Sequence, residues 1–186
     1  MRWFWIDRFE EFVSGSHAIA IKNVSLSEEP VDEYSPGWAY YPASLIIEGL
    51  AQTGGLLIAQ LSDFKSRVVL AKVAKSKFHF QACPADKLRM RMDIENLQAH
   101  GGIAKGTVHV EDRILCEADI TFAVLDDRFE GVQLFEPATF CRTLRVLKLF
   151  EIGVDQDGNK ISVPQHMLDA ERAEARAFQT EFAGKK

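Results

Sequence analysis

The stretch EYSPGWAYYPASLIIEGLAQTGGLLIAQLSD, residues 33–63, decides how the rest of the chain is read. Its first part is turn material, Ser35-Pro36-Gly37. Its second part, Ala43 to Leu61, is apolar on nearly every helical face, and Pro42 suits a first helical turn, where a missing N–H costs nothing. A helix of that kind is buried on most sides and needs a sheet wrapped around it. Gly49, Gly54 and Gly55 lower its helix propensity, so close approach of a neighbouring backbone is expected there. One carboxylate, Glu48, stands among Leu45, Ile46, Ile47, Leu50 and Ala51. Burial in such company would raise its pKa and favour the acid form. The plainer reading is a buried glutamate satisfied by nearby backbone or by Gln52, one turn further on.

The sheet follows the helix. Residues 68–80, VVLAKVAKSKFHF, read as one long or bent strand. In KLRMRMDIENL, residues 87–97, Leu88, Met90, Met92 and Ile94 fall on one face and Arg89, Arg91, Asp93 and Glu95 on the other. Gly101-Gly102 marks a hairpin turn, and residues 103–111 and 113–125 give two more strands. Alternation with a polar face implies antiparallel pairing, the apolar face resting on the helix. Upstream, residues 18–26 read as a strand, residues 27–35 as a polar loop with Pro30, and Trp3 to Phe12 as a short strand or turn that lays aromatics over the core. Asp126-Asp127-Arg128 closes this unit. Beyond it, residues 137–153 suit a helix, residues 154–163 a turn between short strands, and Gln165 to Phe182 a charged, Ala-rich amphipathic helix. The expected fold class is therefore α+β: a unit of residues 1–126 built on one central helix in an antiparallel sheet, with a C-terminal extension of residues 127–186.

Composition excludes several classes of function. With 186 residues, 47% hydrophobic and 26% charged, the chain has the make-up of a globular protein with a sizeable core. A net charge of −5 with no basic patch argues against a nucleic-acid binder and gives no pull toward anionic membranes. Cys83, Cys116 and Cys141 are far apart and form neither a disulfide framework nor a zinc site. The N-terminal MRWFWIDRFEEF lacks the apolar run of a signal peptide, and the apolar helix carries Glu48, Gln52, Gln60 and three glycines, so a cytoplasmic protein without a membrane span is expected. No Gly-rich phosphate loop or metal-ligand set stands out, so neither a cofactor nor a metal is expected. Asp155-Gln156-Asp157-Gly158 lacks the spacing and closing glutamate of a calcium loop and reads as a turn.

Taken in order, AIKNVSL, SPG, P-x-x-LIIEGLAQTGGLL, AKVAKSKFHFQACPADKLRMRMDI and GxxHVEDRILCEADITFAVL resemble the hotdog-fold 3-hydroxyacyl-(acyl carrier protein) dehydratases of bacterial fatty acid synthesis, over residues 15–125. The resemblance implies a homodimer, in some members an assembly of dimers, with acyl tunnels at the subunit interface. It implies a substrate thioester of acyl carrier protein or coenzyme A. In that family a histidine in an H-F-P-G motif, fourteen residues before the helix glutamate, shares the proton work with it. Glu48 matches the glutamate; fourteen residues earlier stands Tyr34, in Tyr34-Ser35-Pro36-Gly37, so the histidine is absent. The family's thioester-polarising amide, at the start of the helix, maps to Ala43, where the family usually has glycine. The resemblance thus implies Glu48 and Tyr34 as catalytic positions and Ala43, Gln52, Gly37 and Pro42 as substrate-binding positions.

Dehydration needs a base for the C2 proton, an acid for the departing hydroxyl and donors for the enolate-like oxygen. A tyrosine, with an ordinary pKa near 10, is a poor base but a competent hydrogen-bond donor. Tyr34 equally suits an aromatic lining of a tunnel mouth, as do Trp38, Tyr40 and Tyr41. Ser35 or Glu33 is also placed to enter a site there. None of the five histidines matches the missing base: His79 and His109 alternate outward on strands, and His17, His100 and His166 fall in loops or at element ends. Three functions stay open: a dehydratase-like lyase with altered or lost activity, a hotdog thioesterase using Glu48 as base or nucleophile, and a non-catalytic acyl-binding or scaffold protein.

Overall fold

The structure is a computed structural model describing residues 4–28, 31, 37, 39–125 and 134–183. Six strands form one sheet: β1 (Arg8–Val13), β2 (His17–Asn23), β3 (Val68–Phe78), β4 (Lys87–Gln98), β5 (Gly101–Val110) and β6 (Arg113–Val124). Helix α1 (Ala43–Gln60) enters between β2 and β3, and three helices follow the sheet: α2 (Pro137–Val146), α3 (Leu149–Ile152) and α4 (Gln165–Ala183). The strand order is β1-β2-β4-β5-β6-β3, every neighbouring pair antiparallel. This is the expected α+β architecture, with α1 wrapped by the sheet and a helical C-terminal extension.

The alternation read in β4 sets the layering. Leu88, Met90 and Met92 are fully buried toward α1, and Met90 stands in register with Ala20 on β2 and Val108 on β5. The glycines of α1 meet this layer chiefly against side chains, although the backbone oxygen of Trp5 also comes within 3.4 Å of the Gly49 Cβ position. A Cβ at Gly49 would lie 2.6 Å from Met90 Sδ, and one at Gly54 2.7 Å from Phe122 Cζ. The sheet's largest side chains press into the helix, so the helix has to be bare at those two positions. Gly55 is different: among the described residues a Cβ there would find only Phe122 Cε1 within 4 Å, at 3.8 Å. Ala43 and Ser44 are exposed, and Leu45, Ile47, Glu48 and Gln52 are half-buried, so α1 is less enclosed than its apolar sequence suggests.

Three local expectations change. The β4–β5 turn is Ala99-His100; Gly101 pairs with Gln98 and starts β5 at φ +150°. The strand expected over 68–80 ends at Phe78 and is bent by two register shifts against β6. The helix expected over 137–153 breaks in two, because Lys148 takes a left-handed φ of +61° between α2 and α3. The start of α2 is held by Glu136, whose carboxylate accepts from Ala138 N at 3.0 Å and Thr139 N at 2.6 Å. Asp155 organises the turn at 155–159, accepting from Asp157 N at 2.9 Å and Asn159 N at 2.8 Å.

The extension is stitched to the sheet. Phe9 N donates to Leu147 O and Ser14 N to Val154 O, both at 2.8 Å, while Val154 N donates to Phe12 O at 2.9 Å. The outer edge of β1, otherwise open to pairing, is covered this way. Phe140, Leu144 and Met167 join one buried cluster with Ile46, Leu57 and Phe64. Phe64 and Phe140 meet edge to face at 5.8 Å. The 126/127 boundary lies outside the described residues.

Candidate active site

Glu48, Ala51, Gln52, Gly55, Leu56 and Ala59 recur at helical spacing and form one stripe along α1. The stripe faces a cavity of about 680 Å³. The start of β3 with Lys65 and Arg67, the Phe4 ring, and residues of the extension form the other walls. Glu48 is therefore half-buried, not enclosed in the core as its neighbours in sequence suggest. Its side of the helix looks into open space, while Ile46, Leu50 and Leu57 take the packed side.

The carboxylate is oriented. Gln52 Nε2 donates to Glu48 Oε1 at 3.0 Å, and Gln52 Oε1 accepts from Trp5 N at 2.8 Å. The backbone N–H of Trp5 assigns the oxygen end of the amide, which turns the amide's NH₂ toward the glutamate. Among the described residues, Glu48 Oε2 accepts no hydrogen bond. A half-buried carboxylate held by one neutral donor thus faces the cavity.

The other expected positions stand apart. Pro42 and Ala43 begin α1, Pro42 buried and Ala43 exposed. Ala43 stands five positions before Glu48, about 140° around the axis and about 7.5 Å along it, and does not line the cavity. The first amides of a helix have no intrahelical acceptor, which leaves Ala43 N–H aimed outward at the helix start. Gly37 has φ +84°, and none of the described residues comes within 4 Å of its Cβ position. Tyr34, Glu33, Ser35 and Trp38 lie outside the described residues. Tyr41 is buried, its N–H donating to Ala82 O at 2.8 Å. Burial raises its pKa, helped by the carboxylates of Glu28 and Asp7, so the phenol stays neutral.

Of the histidines, His17 Nε2 contacts Glu11 Oε1 and His79 Nε2 contacts Glu117 Oε2, both at 2.9 Å, away from the cavity. His166 lines it, near the start of α4. Sequence reading missed Trp5 N, a backbone donor with no side-chain signature. It also missed the extension's Phe135, Phe140, His166 and Met167. The signal available was the Leu134-Phe135 pair, two adjacent apolar residues ahead of Pro137. No group of metal-ligating side chains occurs among the described residues, and no described helix is long and apolar enough to cross a membrane.

A long helix held in an antiparallel sheet of this strand order defines a hotdog fold. The chain belongs to the FabA-like domain family, which matches residues 4–119. It is 36% identical over 121 residues to the 3-hydroxyacyl-(acyl-carrier-protein) dehydratase FabZ of Enterococcus faecalis, covering 64% of this chain and 84% of that protein. Its fold is similar to the dehydratase heterocomplex ApeI:P of Xenorhabdus doucetiae, with TM-score 0.57 and 14% identity over 67% of this chain and 84% of that one. It is also similar to a Streptococcus mutans protein bound to acetyl CoA, with TM-score 0.55 and 16% identity over 67% and 93% of the two chains. The family match ends within β6, so α2, α3 and α4 lie beyond it.

Proposed function

We propose that the protein is a 3-hydroxyacyl-thioester dehydratase-like enzyme of acyl metabolism, acting on acyl carrier protein or coenzyme A thioesters through Glu48. The observation that carries this reading is the Glu48 carboxylate, tethered by Gln52 and opening into an apolar cavity of about 680 Å³. It occurs in a chain 36% identical to a FabZ dehydratase. Elimination removes a proton from C2, delivers a proton to the C3 hydroxyl, and breaks the C3–O bond. Water and an enoyl thioester result. In this reading Glu48 handles the proton and Tyr34 occupies the family histidine's place as a hydrogen-bond donor. Ala43 N–H polarises the thioester carbonyl with the dipole of α1 behind it, and Gly37 and Pro42 shape the backbone that presents it. Residues 1–126 form the chemical unit and residues 127–186 an added cover. A homodimer fits the outer edge of β3, where Leu70 and Val73 are exposed.

Incubation with 3-hydroxyacyl and saturated acyl thioesters tests this. Enoyl product formed by the wild type and lost in Glu48→Gln supports it. Free thiol without enoyl product replaces it with a thioesterase, and acyl binding without turnover replaces it with a non-catalytic acyl-binding protein. Tyr34→His raises dehydration if that position is the family base; an unchanged rate removes Tyr34 from the site.

A further inference from the structure

We infer that the C-terminal extension is the acyl-chain wall of the cavity, with Phe135 as the residue that sets which chain lengths are accepted. The inference rests on the acyl-thioester reading above and names a determinant of its substrate range. On the α1 side the cavity floor is made of small residues one turn apart, Ala51, Gly55 and Ala59. Facing them is an aromatic wall: Phe135 stacks on Phe140 at 4.5 Å and 8°, and Phe4 lies 6.4 Å from it. A bare floor opposite flat rings makes a slot suited to a narrow, unbranched chain. The polar pair Glu48 and Gln52 shares that slot with apolar walls, which matches a ligand with a reacting polar end and an alkyl tail.

The contrast among the three glycines sharpens this. Gly49 and Gly54 are bare because sheet side chains fill the space, whereas at Gly55 the nearest approach to the Cβ position among the described residues is 3.8 Å. Its missing side chain keeps cavity volume, not packing. The wall, in turn, is firmly placed. Arg142 Nη1 and Nη2 bond Glu174 at 2.5 and 3.2 Å, Arg145 bonds Glu171, and Met167 is buried beneath. Phe135, by contrast, is 50% exposed although its ring lines the cavity, so a ligand has apolar surface left to cover. All of these wall residues but Phe4 lie beyond the part of the chain that matches the family.

The test is binding of saturated acyl-CoA thioesters, butyryl through palmitoyl, by calorimetry to the full-length protein, its Phe135→Ala variant and its Gly55→Leu variant. Sedimentation is measured in parallel. The wild type prefers a limited range of lengths. Phe135→Ala binds that range about tenfold more weakly and extends to longer chains. Gly55→Leu loses the longer chains and keeps the shorter ones. One length profile shared by all three proteins overturns the inference. A changed oligomeric state with an unchanged profile also overturns it and assigns the face to a second copy of the chain. Because saturated thioesters undergo no dehydration, the two readings separate. A shifted profile without turnover of 3-hydroxyacyl substrates defeats only the dehydratase reading. Turnover with an unshifted profile defeats only the wall, and absence of acyl binding defeats both.

Discussion

Gly54 and Gly55 are neighbours in α1, yet replacing each with alanine should move stability in opposite directions. Both changes gain helix propensity, about 0.8–1.0 kcal/mol. They differ in what the new methyl meets. At Gly54 it would sit 2.7 Å from Phe122 Cζ, 2.9 Å from Phe122 Cε2 and 3.0 Å from Met92 Cε. Phe122 is 2% exposed and Met92 fully buried, so the ring can yield only toward the cavity it borders. Overpacking of this kind costs about 1–3 kcal/mol, which leaves Gly54→Ala destabilised by up to about 2 kcal/mol. At Gly55 the methyl meets one atom at ordinary contact distance, so the propensity gain survives nearly whole. A chain of this size shifts its Tm by about 2–4 °C per kcal/mol. Thermal unfolding followed by circular dichroism should therefore place Gly55→Ala a few degrees above wild type and Gly54→Ala below it. Adding Phe122→Leu to Gly54→Ala should recover part of the loss, because the two sites share one contact. If both single variants rise by the same amount, or if Phe122→Leu rescues nothing, the packing of α1 on β6 described above is wrong.

Other consequences are as direct. Gln52→Leu frees both Trp5 N–H and Glu48, so kcat for dehydration should fall by about tenfold or more while binding of a saturated acyl thioester barely changes; equal losses in both would make Gln52 a binding residue. Glu136 holds two backbone N–H groups of α2, and these bonds lower its carboxyl pKa in the folded protein. A lowered folded pKa means that its contribution is present above the unfolded value, near 4.5, and is lost as pH falls through the folded one. Glu136→Gln should therefore cost about 1 kcal/mol or less at neutral pH and nothing at pH values below the folded pKa, measured by urea unfolding at several pH values. Gly101→Ala should be among the most damaging small substitutions: a Cβ there would lie 2.1 Å from Phe122 O at φ +150°, and a stable, normally expressed variant would refute the placement of the β4–β5 turn.

What could be read from the sequence divides along a physical line. The alternation of Leu88, Met90 and Met92 is local, because the period of a strand forces each side chain to one face whatever lies above it. The contact of Gln52 with Glu48 is local too, since four residues bring two side chains together on any helix. The purpose of Gly49 and Gly54 is not local. A glycine records only that something approaches, and the approaching atoms, Met90 Sδ and Phe122 Cζ, belong to strands far along the chain. The turn misplaced onto Gly101-Gly102 has the same origin: glycine marks both a turn and the close passage of a neighbouring backbone, and here Phe122 O makes it the second.

The extension was the least legible part, and the reason bears on the site itself. Phe140 and Leu144 stand at a spacing that any amphipathic helix uses, so their sequence states that a face is buried without stating against what. Their target exists only after α1 has been laid on the sheet with its Gly55 stripe turned outward. Glu48 follows the same logic. An apolar neighbourhood in sequence suggested enclosure, but neighbours along a helix point to all sides of it. The structure divides those neighbours: Ile46 and Leu50 go to the sheet, and Glu48 goes to the cavity with Ala51 and Gln52. A fully enclosed carboxylate would have no access to a substrate, and a fully exposed one would gain nothing from its surroundings. Half-burial beside a single amide donor leaves one carboxylate oxygen facing the cavity, a placement that the sequence alone could not supply.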